Sequence, residues 1–269
     1  MNKIVAAPIA DMNRYNARMA ESVISKASFL DKVFANLIVD YGCADGTVLD
    51  FIERAFPGSR RLVGYDNDPE MIAKARARNP NSEIIYTSDW SVVQDEVAKE
   101  RALGHKSCLL LNSVLHEVHS YLTPDETEKT FDEIWGRAGV VFDYIAIRDM
   151  MVRKSASRAS DQIHATRVRQ LFDQKRLEEW EAQWGSIDEN WSLTHLMLTY
   201  RYADNWKREL KENYLPIPFE DFVASIPKNY MPTYKDHFTL PYLRHQVHED
   251  FGIDLAEPTH VQLILKNVG

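Results

Sequence analysis

Apolar and polar positions alternate along the first 150 residues in a regular rhythm. Short apolar runs at Leu37–Tyr41, Leu62–Asp66, Glu83–Tyr86, Ser107–Leu111 and Val141–Ile147 read as five strands. Between them lie segments with helical spacing. Met12–Phe34 carries Tyr15, Met19, Val23 and Ala27 on one stripe, with Arg14, Arg18, Glu21 and Lys26 off it. Asp45–Phe56 is a helix closed by Pro57-Gly58, and Pro69 opens the next, through about Arg78. Polar helices follow at Ser91–Leu103 and from Pro124 to about Trp135, with Thr123 as the N-cap of the second. Strands alternating with helices imply a parallel sheet wound on both faces.

After Arg148 the rhythm changes. Gln162–Trp184 looks helical, and Leu193, Met197, Tyr200, Ala203, Leu210 and Tyr214 form a second stripe stopped by Pro216 and Pro218. No strong strand signal appears between about Met150 and Tyr234. Sheet-like pattern then returns as a helix at Leu240–Phe251, a short strand at Ile253–Leu255 and a last strand at His260–Lys266, joined by a tight Ala256–Thr259 turn. The expected architecture is α/β: a doubly wound, mostly parallel, seven-stranded sheet with a helical insertion after strand five. Its units are residues 1–149, an insertion at 150–235, and 236–269 completing the core.

Composition adds few constraints. The chain has 269 residues and a net charge of -8, which argues mildly against broad binding to a phosphate backbone. Its two cysteines, Cys43 and Cys108, lie in or beside expected strands and read as reduced core thiols. No apolar run approaches the roughly 20 residues that span a bilayer. Ile4–Ala10 is too short for a signal-peptide core and is broken by Pro8. A cytoplasmic location is the expectation.

The first strand ends in Asp40 and runs into Tyr41-Gly42-Cys43-Ala44-Asp45-Gly46; the second ends in Asp66. A strand, a glycine turn, a helix and an acid-ended strand make the unit that binds a nucleotide at the carboxyl end of a parallel sheet. The turn lacks the third glycine of a dinucleotide fingerprint. An acid at Asp45 would repel a pyrophosphate and suit a positively charged ligand. At these residues the chain resembles the class I S-adenosylmethionine-dependent methyltransferases, whose first motif is an apolar strand, an acid and Gly-x-x-x-Gly. The resemblance covers residues 35 to 148 and about the last thirty. It implies a Rossmann-like methyltransferase fold, S-adenosylmethionine as cofactor, and a last strand entering antiparallel. The other reading is an ordinary glycine turn in an unrelated α/β protein.

Under the resemblance, Asp40, Gly42, Ala44 and Gly46 would hold the methionine part of the cofactor, and Asp66 with Asn67 the ribose. Asp89 would accept from the adenine amino group and Trp90 pack on its ring, with Asn112 and Ser113 near the sulfonium. Asp89 also reads as a simple helix N-cap. For chemistry the candidates are His116, Glu117 and His119 after strand four; the histidines are three apart and so share a helical face. No third ligand at suitable spacing accompanies them, so no metal is assigned. Arg148 and Asp149 directly follow the expected strand five, at the same rim, as substrate contacts or as a buried ion pair.

The acceptor is the open question. No Asn-Pro-Pro-Tyr or Pro-Cys follows strand four, which disfavours DNA amino methylation and cytosine C5 methylation. An oxygen or nitrogen of a small or nucleotide-like molecule is the expectation. Arg153, Lys154, Arg158, Arg167, Arg169 and Lys175 leave open an RNA or tRNA methyltransferase, or merely form a solvated helix face answered by Glu178, Glu179 and Glu181. A non-catalytic cofactor-binding protein is the third reading.

Overall fold

The computed structural model describes residues 22–137 and 139–269. Its strands are β1 (Leu37–Tyr41), β2 (Arg61–Tyr65), β3 (Ile85–Thr87), β4 (Ser107–Asn112), β5 (Tyr144–Met150), β6 (Tyr230–Phe238) and β7 (His260–Asn267). They form one sheet in the order β3-β2-β1-β4-β5-β7-β6. The first five are parallel, and β7 runs antiparallel to both β5 and β6. The expected doubly wound, mostly parallel seven-stranded sheet is therefore present.

Successive strand residues point to opposite faces, and each face has its own core. Leu37, Val39, Leu109, Leu111, Ile145 and Ile147 pack under α4 (Trp90–Ala102), α5 (Leu115–Tyr121) and α6 (Pro124–Ile134). Ile38, Cys108, Leu110 and Ala146 pack under α1 (Val23–Ala27), α2 (Thr47–Ala55) and α3 (Pro69–Arg78). Helix α6 begins in the expected place: Thr123 and Glu126 form a capping box around Pro124. Both cysteines are free and buried.

A third core forms beyond the carboxyl ends of the strands. It gathers α7 (Gln162–Leu171), α8 (Gln174–Trp184), α9 (Asn190–Thr199) and the short α10 (Trp206–Glu209) with α12 (Pro241–Phe251), whereas α11 (Phe219–Ser225) packs on the first core. Eight consecutive residues of α9, Ser192–Thr199, are buried, so this helix is the axis of the unit and carries no amphipathic stripe. Phe172, Trp180 and Trp206 fill the space beside it.

The structure departs from the sequence pattern in several elements. Of the N-terminal helix, residues 12–21 lie outside the described residues, as does Ile4–Ala10; the described part is α1 followed by a 3-10 turn at Ser28–Lys32. Gln162–Trp184 is two helices, because Asp173 caps α8 by accepting from the Arg176 amide at 2.8 Å. Strand five begins at Tyr144 rather than Val141 and reaches Met150. The sixth strand is Tyr230–Phe238, not Ile253–Leu255, and α12 separates it from β7, so no tight hairpin joins them. Ile253 is apolar because it plugs the third core. No helix among the described residues is long and apolar enough to cross a membrane.

Candidate functional site

Each strand end delivers polar groups to the carboxyl edge of the sheet. After β1 the chain turns through Gly42 and Gly46, with φ of 75° and 79°, and through Ala44 at 47°. The left-handed backbone favours glycine, and so does packing: a Cβ on Gly42 would lie 2.9 Å from Val114 and one on Gly46 2.5 Å from the Tyr86 hydroxyl. Neighbouring protein groups therefore already demand these glycines. The amides of Gly42 and Cys43 donate to the Tyr65 carbonyl. Asp66 accepts from the Ala44 amide on one oxygen and from the Asp68 amide on the other, both at 2.9 Å. It thus ties the glycine turn to the end of β2, and each oxygen keeps a lone pair for a ligand.

Asp45 differs from expectation. Its carboxylate caps α2 through the Thr47 amide and hydroxyl and pairs with Arg78, so its charge is taken up within the protein. Asp89 is the N-cap of α4, accepting from the Ser91 amide at 2.9 Å, which holds its carboxyl below the ordinary range. Trp90 lies edge-on to Tyr65 and Tyr41 at 5.0 and 5.6 Å. Asn67 stands beside Asp66 at the same edge.

Three adjacent strands end in polar side chains on one face of the sheet. Asp40, Asn112 and Arg148 share parity with Ile38, Leu110 and Ala146, and Asn112 sits level with Arg148 across the β4–β5 pair. All three are buried, and each holds atoms with no hydrogen-bond partner: Asp40 Oδ1, both amide atoms of Asn112, and Arg148 Nε and Nη2. Such orphans are costly in a finished interior and are a normal feature of a ligand site. Lys26 of α1 is buried among them; burial and the nearby Arg148 lower its pKa to about 8. Burial pushes the Asp40 carboxyl up to about 7, against the pull of Lys26. A ligand with an ammonium for Asp40, hydroxyls for Asp66 and mixed donors and acceptors for Asn112 fits this edge.

Arg148 and Asp149 lie inside β5 and not after it, so they face opposite sides and do not pair. Arg148 donates from Nη1 to the Ser113 hydroxyl at 2.9 Å; Ser113 itself has φ of 57°. Asp149, fully buried, accepts on Oδ1 from His116 Nδ1 at 2.8 Å and on Oδ2 from the Leu115 amide at 2.8 Å. Burial works against both charges, yet their mutual attraction wins: the His116 pKa is raised and that of Asp149 lowered. An ionised carboxylate only accepts, so Nδ1 carries the hydrogen and Nε2 of neutral His116 presents its lone pair.

His116 lines a cavity of about 80 Å³ between the sheet edge and the third core. Arg148, Ser113, Glu117, Tyr202, Tyr214 and Tyr242 are among its other walls. Glu117 lies 3.5 Å from Arg208, whose firmer partner is Glu212 at 2.7 Å. His119 is not part of this group. It lies in a separate groove, its ring 5.7 Å from Phe131, because one turn of the short α5 places it against α6. Sequence reasoning missed Arg208, Glu212 and Tyr242. The i,i+4 spacing of Arg208 and Glu212 was the available sign, but it marks exposed helix faces far more often.

Residues 38–137 match the family model described as a methyltransferase domain. Over this segment, a little over a third of its length, the chain is similar to methyltransferases. No curated protein matches it in sequence. Among solved structures, a SAM-dependent methyltransferase from Anabaena variabilis is 14% identical over 99% of this chain and 100% of its own, with a TM-score of 0.48. An S-adenosylmethionine-dependent methyltransferase from Mesorhizobium loti is 13% identical over 92% and 98%, at 0.49. The plantazolicin methyltransferase BamL, in complex with a triazolic desmethylPZN analog and SAH, is 14% identical over 95% and 89%, at 0.43.

Proposed function

We propose that the chain transfers a methyl group from S-adenosylmethionine to an oxygen or nitrogen of a small acceptor held in the cavity beside His116. The cofactor when bound supplies a sulfonium methyl, an electrophile that needs no further activation. What remains for the protein is alignment and removal of the acceptor's proton. Asp40, Asn112 and Asp66, with the glycine turn and Asn67, would hold the cofactor. Asp89 and Trp90 would meet the adenine beyond β3. His116, with its Nδ1–H fixed by Asp149, would take the acceptor's proton at Nε2. Glu117 borders the same cavity. The observation that carries the reading is the row of buried, unpartnered polar atoms at the ends of β1 and β4, beside the glycine turn.

The fit at Asp40 gives a direct test. In the free protein the Asp40 carboxyl, at about 7, is mostly protonated at pH 6. An ammonium brought beside it lowers that pKa and expels the proton. Calorimetric binding of S-adenosylhomocysteine at pH 6 should therefore show an enthalpy that depends on the buffer, corresponding to proton release. Asp40→Asn should remove that dependence. Tight binding with no buffer dependence in the wild type would mean that Asp40 does not face the cofactor's amine. Asp66→Ala is a blunter probe, since it also frees the glycine turn from β2.

A further inference from the structure

We propose that the acceptor carries a carboxylate, held by the guanidinium of Arg148; the proposal rests on the methyltransferase reading above. Arg148 is 2% exposed and lines the cavity that His116 also lines. Nη1 is occupied by Ser113. The two nitrogens without partners, Nε and Nη2, lie on one edge of the planar group. That edge presents two parallel N–H bonds, the fork that takes a carboxylate in bidentate fashion.

Among the described residues, the surrounding charges leave this fork unanswered. Asp149, the next residue, faces the other side of the sheet and is spent on His116. Glu117 and Glu212, the carboxylates on the cavity wall, are turned to Arg208. Lys26 on α1 adds positive charge, and the carboxylate nearest it in effect is Asp40, at the end of β1. A buried guanidinium in this state is costly until an anion completes it.

Its position assigns the anion to the acceptor. Arg148 lies on β5, whereas the glycine turn and Asp66 follow β1 and β2, with β4 standing between β1 and β5. Tyr202, Tyr214 and Tyr242 line the same cavity, a setting for a small aromatic or extended acid. The same anchor places such an acceptor within one cavity with His116.

Benzoate and its neutral isostere benzamide are the probes, each titrated by calorimetry and ligand-observed NMR with and without saturating S-adenosylhomocysteine. Wild type is expected to prefer benzoate by about tenfold or more, because a site built for a charged partner rejects the analogue that leaves its donors unpaired. Arg148→Met is expected to abolish the preference while S-adenosylhomocysteine binds as before. Equal binding of the two probes to wild type overturns the proposal, and that comparison needs no variant to fold. Retained benzoate preference in Arg148→Met, with S-adenosylhomocysteine binding lost, also overturns it, since the fork then serves the cofactor's carboxylate. Failure of S-adenosylhomocysteine to bind wild type counts against the methyltransferase reading alone, because the preference is also measured without it.

Discussion

Under the proposed chemistry, the His116–Asp149 pair is where single residues matter most. Desolvation alone would depress the His116 pKa; the Asp149 carboxylate reverses it. Asp149→Asn removes the opposing charge, so His116 should titrate above 6.5 in wild type and below 6.5 in the variant. An NMR titration of the imidazole reads both values without an acceptor. A His116 that titrates identically in the two proteins would show that Asp149 does not govern it. The linkage has a definite sign. The raised histidine contributes stability that is complete below 6.5 and is lost as pH rises through its folded pKa. The lowered aspartate contributes stability present above about 4 and lost as pH falls through its folded pKa. Both contributions are therefore in force between these limits. Much of this was legible in the sequence: His116 and Asp149 were each evident as candidates. Their pairing was not, because it depends on β5 extending past Arg148, which turns Asp149 to the His116 side of the sheet and away from Arg148.

At the scale of elements, legibility followed burial. The five parallel strands are buried on both faces and announce themselves as apolar runs. The sixth does not. Of β6 only Tyr230 is buried, Pro232 interrupts it beside a register shift, and Lys235 and Asp236 are exposed. Those are the features that protect an edge strand from pairing further, and they also erase the alternation by which a strand is read. The glycine turn shows the converse, a clear signal with a different cause. Gly46→Ala should cost roughly 1–2 kcal/mol for the left-handed backbone and about 1–3 kcal/mol more for the collision with Tyr86. Gly58→Ala, at φ of 66° with nothing within 4 Å of the added Cβ, should cost only the first. Thermal unfolding should place the Gly46 variant several degrees below the Gly58 variant, with Tyr86→Phe restoring part of the gap. Equal melting temperatures would mean that the turn is not held by close packing.

For the whole molecule, the helical unit over the sheet supplies walls of the cavity, Leu198, Tyr202, Arg208 and Tyr214 among them, and its basic residues bear on whether RNA could bind there. In the fold these cations are largely employed. Arg169 forks onto Asp188 at 2.7 and 3.0 Å and also reaches Glu181. Lys154 pairs with Asp221 and Arg158 with Glu257. Arg167 donates to the Gly252 carbonyl at the end of α12, and Arg176 to the Tyr200 carbonyl while lying over Trp206. Exposed pairs of this kind hold together by no more than about 1 kcal/mol each, so a phosphate could displace one. Displacing several at once, on a chain with net charge -8, costs more than a weak surface offers. Binding to mixed tRNA at about 150 mM salt should therefore be no tighter than the roughly micromolar affinity of non-specific contact. Arg169→Ala and Arg158→Ala should leave it unchanged. Nanomolar binding that weakens steeply with salt and falls in those variants would make this face an RNA surface, and would place a nucleotide where a small acid is now inferred.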